Sequence, residues 1–121
     1  MTEFTDRLLE GPYMKMTIRW FGDNHDPVTL GDIRQIPCVD GVVTSLMDMQ
    51  PGQLWPREAI DVMHRQVTGA GLTMEVIESV NVHEDIKLGA PGRDQKIEAY
   101  IETMKRLAAV GVKVICYNFM P

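Results

Sequence analysis

A chain of 121 residues, 45% hydrophobic and 24% charged, is long enough for one domain with its own core and has the balance of an ordinary globular protein. Its formal charge of -5, with Lys and Arg scattered rather than gathered into a stripe, argues against a nucleic-acid footprint. No apolar run approaches the ~20 residues of a membrane span, and residues 1–10 lack both the basic start and the apolar centre of a secretory signal. Cys38 and Cys116 have neither metal-pair spacing nor a disulfide framework. They fit a reducing, cytoplasmic setting as two buried small hydrophobes.

Residues 1–13 end in Gly11-Pro12 without a sustained period and read as a tail or extension before a domain over 14–121. The first strand is predicted at 16–21. Turn formers follow from Gly22 to Pro27, and Thr29 then offers a cap oxygen to a short helix over 30–35, with Asp32 at its third position. Val42 and Val43 centre a buried strand at 40–45. After the Pro51-Gly52 loop, Pro56 suits the first position of a helix running to Ala70, with Ala59, Ile60, Met63 and Val67 on its apolar face and Gly71 closing it.

A third strand at 73–78 leads into a segment dense in polar and ionisable groups, Glu78-Ser79-Val80-Asn81-Val82-His83-Glu84-Asp85-Ile86-Lys87-Leu88-Gly89. A helix over 93–110 carries Ile97, Tyr100, Ile101, Met104, Leu107 and Ala108 on one face, with Asp94 in its first turn. Residues 112–117 form the fourth strand, apolar on both faces except at Lys113, as in a parallel strand covered by helices. The order β-α-β-α-β-α-β implies a parallel sheet with right-handed crossovers, either open and doubly wound or part of a barrel. No Gly-x-Gly-x-x-Gly follows the first strand, which weakens a nucleotide site. Long polar loops after strands one and three, against tight returns such as 70–72, suit a barrel working at the carboxyl ends of its strands.

Chemistry-bearing residues gather at those ends. Arg19 lies near the carboxyl end of strand one, where a guanidinium calls for an anion: a substrate carboxylate, or a structural partner such as Glu78. Glu78 and Ser79 end strand three, and alternation turns one of them toward the axis a barrel would have, where either could hydrogen-bond a ligand hydroxyl. His83 reads as a ligand, a proton carrier or a loop hydrogen-bonder. Glu84, Asp85 and Lys87 read equally as a solvated loop or a helix start. Asn118, after strand four, can bond a polyol, whereas Tyr117 points to the opposite face. Trp20 and Trp55 read as packing residues. His25 and His64 have no partners at metal spacing, and no set of His, Asp, Glu or Cys encodes a complete metal site.

Three stretches together, Arg19-Trp20, the 78–89 segment and Cys116-Tyr117-Asn118-Phe119-Met120-Pro121, closely resemble the amino-terminal part of the mannonate dehydratase family. The likeness extends from about Met14 to Pro121 and includes Ile33-Arg34-Gln35-Ile36-Pro37, Gly41-Val42-Val43 and Trp55-Pro56. It implies the amino-terminal half of a TIM (β/α)8 barrel of the xylose-isomerase-like group. It also implies dehydration of D-mannonate to 2-dehydro-3-deoxy-D-gluconate in hexuronate breakdown, with Mn2+ or Fe2+. Arg19, Glu78, Ser79, His83 and Asn118 would then hold the sugar acid, with the metal ligands and acid-base residues in the later half of the barrel. A barrel takes roughly 250 residues, so the expectation is a fragment, a truncated product or a half barrel prone to form homo-oligomers through its open sheet. The alternatives are a non-catalytic self-associating remnant and a sugar isomerase or epimerase of the same barrel group.

Overall fold

The computed structural model describes residues 14–120, so the expected tail over 1–13 lies outside the described residues. The elements are β1 (Thr17–Arg19), α1 (Leu30–Arg34), β2 (Gly41–Thr44), α2 (Arg57–Gly69), β3 (Thr73–Asn81), α3 (Glu84–Leu88), α4 (Arg93–Ala109) and β4 (Val114–Asn118). The four strands form one sheet in the order β1-β2-β3-β4, and every pair is parallel. Because the order never reverses, the described strands contain no topological switch point of the kind where open doubly wound sheets bind ligands.

Local chemistry explains most boundaries. Thr29 and Asp32 form a reciprocal capping box at α1: the Asp32 N–H donates to Thr29 Oγ1 at 3.1 Å and the Thr29 N–H to Asp32 Oδ2 at 3.0 Å. Those bonds hold the Asp32 carboxyl below the usual range. Pro56 is the N-cap of α2 rather than its first residue, and Ile60, Met63 and Val67 are its buried stripe. They pack with Val42, Met74 and Ile77 from the sheet and Leu107 from α4 into one core, which also buries Trp20 and Trp55.

Several expectations need correction. The third strand runs on to Asn81, because its ladder with β4 steps from Glu78–Cys116 to Val80–Tyr117 and passes over Ser79. The 84–88 segment is a helix, which adds an element to the predicted order. The stripe predicted on the last helix is only partly buried. Ile97, Ile101 and Met104 are exposed, while Thr103 is buried with its Oγ1 accepting the Trp55 N–H at 3.2 Å. Finally, Cys38 is exposed and sits at φ 67°, and Cys116 is half-buried. β4 is less covered than an inner parallel strand, with Val114 50% and Tyr117 70% exposed.

Glycine is required at the start of β2 by proximity rather than by dihedral. A Cβ on Gly41 would lie 2.3 Å from Thr73 Oγ1 and 2.4 Å from the Thr73 carbonyl oxygen. Since the second obstacle is backbone, relief means parting β2 from β3. Gly41→Ala is therefore expected to destabilise the chain by about 1–3 kcal/mol, read as a lower urea midpoint. An unchanged midpoint would show that the two strands separate freely there.

Candidate functional site

The carboxyl ends of the strands converge on a polar rim. β1 contributes Arg19, the residue after β2 is Ser45, β3 brings Glu78, Ser79 and Asn81, and β4 ends with Asn118. Ser45 Oγ donates to the Ser79 carbonyl at 2.8 Å, and Ser79 Oγ donates to Asn81 Oδ1 at 2.8 Å. The Asn118 amide donates to the same Oδ1 at 2.8 Å and to Ser79 Oγ at 3.3 Å. Asn81 is thus the acceptor on which the network centres.

Glu78 and Ser79 do not divide between the two faces as alternation predicts. The ladder skips Ser79. Both side chains line one hollow of about 100 Å3 with Arg19, Ser45, Trp55 and Asn81. There Arg19 Nη1 lies 3.4 Å from Glu78 Oε1, with side chains 49% and 42% exposed, and its guanidinium stacks 4.8 Å from the Phe21 ring centroid. So Arg19 meets the structural partner that the sequence offered. An ion pair this open is worth no more than about 1 kcal/mol, and it leaves further N–H donors available.

A second, larger hollow of about 470 Å3 adjoins the first. Gln50, His83, Glu84, Lys87, Asn118 and Met120 line it. His83 is the N-cap of α3, where its Nδ1 accepts the Asp85 N–H at 3.0 Å. Lys87 is the most enclosed cation of the rim at 12% side-chain exposure; its Nζ donates to Glu84 Oε1 at 2.8 Å and to the Met120 carbonyl. Because Asn118 borders this hollow and bonds Asn81 and Ser79 of the first, the amide network is the partition between them.

The structure therefore brings together Arg19, Glu78 and Ser79 on one side and His83 and Asn118 on the other. Asn81, Ser45, Gln50 and Lys87 line the same hollows and were not among the candidate site residues. Asn81 and Lys87 carried a signal, since both belong to the polar segment after the third strand; Ser45 and Gln50 look like ordinary loop residues. His25, read as having no partners at metal spacing, bonds Asp48 Oδ1 through Nε2 at 3.1 Å. That pair lies in a separate hollow of about 590 Å3 between α2 and the loops after β1 and β2. Trp20 Nε1 and Thr44 Oγ1 are buried in its wall without a partner among the described residues.

Among the described residues, no three His, Cys, Asp or Glu side chains converge closely enough to hold a metal ion. Nor is any helix among them long and apolar enough to cross a membrane. The rim as it stands positions hydrogen-bond donors and acceptors and two cations. Removing its central acceptor should break the partition: Asn81→Ala is expected to shift the Asn118 side-chain amide resonances and to cost about 1 kcal/mol of stability. Unmoved Asn118 resonances would mean that the network does not form in solution.

The profile of the D-mannonate dehydratase (UxuA) family matches residues 14–121. A mannonate dehydratase of Thermotoga neapolitana is 61% identical over 108 residues, covering 89% of this chain and 30% of that relative. One from Lactococcus lactis subsp. lactis is 54% identical over the same shares. The crystal structure of mannonate dehydratase from Streptococcus suis serotype 2 superposes with a TM-score of 0.85 at 49% identity, covering 91% of this chain and 31% of that one. The chain spans about a third of the length of the relatives it matches.

Proposed function

The chain belongs to the D-mannonate dehydratase family, and from that membership we propose that it supplies the substrate-holding side of a carbon–oxygen hydro-lyase. The reaction is the conversion of D-mannonate to 2-dehydro-3-deoxy-D-gluconate and water in hexuronate breakdown. The observation that carries the proposal is the rim at the carboxyl ends of four parallel strands, where Arg19 stands beside the Ser79–Asn81–Asn118 network. That is where barrels of alternating strands and helices keep their chemistry. The unreversed strand order supports the finer architecture, the amino-terminal half of a TIM (β/α)8 barrel.

In this reading Arg19, Glu78, Ser79, His83 and Asn118 bind and orient the sugar acid, with Asn81 and Lys87 added to them. The ligand is a small sugar acid rather than a nucleic acid or a membrane surface, in keeping with the net charge of -5. The free thiols of Cys38 and Cys116 accord with a cytoplasmic setting. The Mn2+ or Fe2+ that the resemblance implies does not fit the described residues, which offer no ligand set. Its ligands, and the groups that take the C2 proton and release the C3 hydroxyl, belong in this proposal to the barrel's other half.

A second reading, a self-associating chain without turnover of its own, draws on one observation. Val114 and Tyr117 are exposed along β4, beside an apolar groove that Ile101, Met104 and Phe119 help to line. Unpaired strand edges with apolar flanks favour pairing with a second copy, and a homo-oligomer is part of the proposal for the same reason.

The test uses the 121-residue chain with D-mannonate and a neutral ketose as rival ligands in calorimetry, then Mn2+ with assay for the 2-keto product. D-Mannonate should bind at least about tenfold more tightly than the ketose, the worth of one good charged hydrogen bond, and no product should form above the metal-free control. Equal binding would sink the sugar-acid reading in favour of an isomerase-like site. Turnover would sink the assignment of catalysis to the other half.

A further inference from the structure

We infer that His83 and Lys87 form the subsite that receives the substrate's carboxylate, with His83 locked as a hydrogen-bond donor. The inference rests on the sugar-acid reading above and deepens it, because that reading leaves open which of two cations meets the carboxylate.

The lock follows from the cap. A backbone N–H can only donate, so the Asp85 N–H, 3.0 Å from His83 Nδ1, requires a lone pair on Nδ1. The neutral ring then carries its proton on Nε2, and His83 presents a donor to its surroundings rather than a base. The only carboxylate near Nδ1 in the described contacts, Asp85 Oδ2, is 3.7 Å away, beyond hydrogen-bond reach. The ring is also held from its other edge: a Cβ on Gly52 would come within 2.9 Å of His83 Cδ2, the carbon bonded to Nε2. Gly52, at φ 80°, thus lets the backbone close against the ring and fix where Nε2 points.

Lys87 borders the same hollow. Its ammonium has three protons; the Glu84 carboxylate and the Met120 carbonyl take two, and one remains. Glu84, the one carboxylate among the lining residues, is thereby occupied. His83 and Lys87, both lining the hollow, thus keep an imidazole N–H and an ammonium N–H unused, two donors matched to the two oxygens of a carboxylate. Arg19 is the weaker claimant. It stands in a hollow of about 100 Å3 against about 470 Å3 here. Only the larger is of a size that can enclose most of a six-carbon acid.

The test is nitrogen NMR of the histidine and lysine side chains in the 121-residue chain, free and titrated with D-mannonate or with D-mannitol, which lacks the carboxylate. Without ligand, His83 should show an unprotonated Nδ1 and a protonated Nε2; a proton on Nδ1 overturns the lock. D-Mannonate should move the His83 Nε2 and Lys87 Nζ signals, and D-mannitol should leave Lys87 in place. Lys87→Met should weaken D-mannonate binding about tenfold or more while the His83 tautomer signals persist as proof of fold, and Lys87→Arg should restore part of it. Binding that survives Lys87→Met but is lost in Arg19→Ala puts the carboxylate on Arg19: the subsite fails and the sugar-acid reading stands. D-Mannonate that moves no signal overturns both.

Discussion

β3 is the strand on which everything else is hung, because it must satisfy β2 and β4 at once with ladders that are both interrupted. Against β2 it steps from Met74 to Val76, and against β4 from Glu78 to Val80. A residue passed over by a ladder is left with side chain and backbone groups to place elsewhere, and both are used. Glu75 takes Lys15 at 2.7 Å and Lys113 at 3.2 Å, tying the strand's amino end to its neighbours, and the two lysines hold its carboxyl below the usual range. Ser79 gives its carbonyl to Ser45 and its hydroxyl to Asn81. One interruption clasps the sheet's lower edge, and the other gathers three elements into the rim. Without the second, β3 would offer alternating faces instead of adjacent polar side chains.

The boundary between what the residues announce and what they hide follows the same line. Strands and helices longer than four or five residues are legible in apolar spacing, as Ile60, Met63 and Val67 on α2 illustrate. The α1 cap is legible because Thr and Asp at three-residue spacing have one efficient use. A skipped residue has no sequence signature, so period-2 reasoning ended the third strand at Glu78 and sent Glu78 and Ser79 to opposite faces. The helix α3 was only half legible, as one of two readings of 84–87, for another reason. It is five residues long, buries none of them and is capped by a histidine, so neither periodicity nor the usual cap residues mark it.

The last helix shows tertiary context overriding pattern. Its best apolar stripe was expected to face the core, yet the buried position at its centre is Thr103, whose hydroxyl takes the Trp55 N–H while Arg106 Nη1 donates to the Trp55 carbonyl at 2.8 Å. Both backbone groups of a buried indole residue are thereby satisfied by α4, and an apolar residue at 103 would orphan one of them. The rotation that this pairing fixes turns Ile97, Ile101 and Met104 toward the exposed side of β4. Tyr100, between them, donates to the Val80 carbonyl at 3.1 Å, and burial raises its phenol above the ordinary value, so it remains a neutral donor. The apolar groove beside β4 is a consequence of how Trp55 is held.

The partition between the two hollows has a chemical polarity of its own. Asn118 spends both amide protons inside the network, on Asn81 and on Ser79, so its remaining group is the Oδ1 acceptor. Asn81 does the reverse: its Oδ1 accepts twice, and its amide protons remain to donate. The wall thus offers one acceptor and one donor from neighbouring strands, held by bonds of 2.8 Å. A hydroxyl group is both donor and acceptor, and a chain of hydroxyls meets such a wall without leaving either partner unsatisfied. A carboxylate, which only accepts, has its match in the proposed His83–Lys87 subsite on the far side. In the proposed reading, hydroxyls and carboxylate thus meet opposite sides of one network.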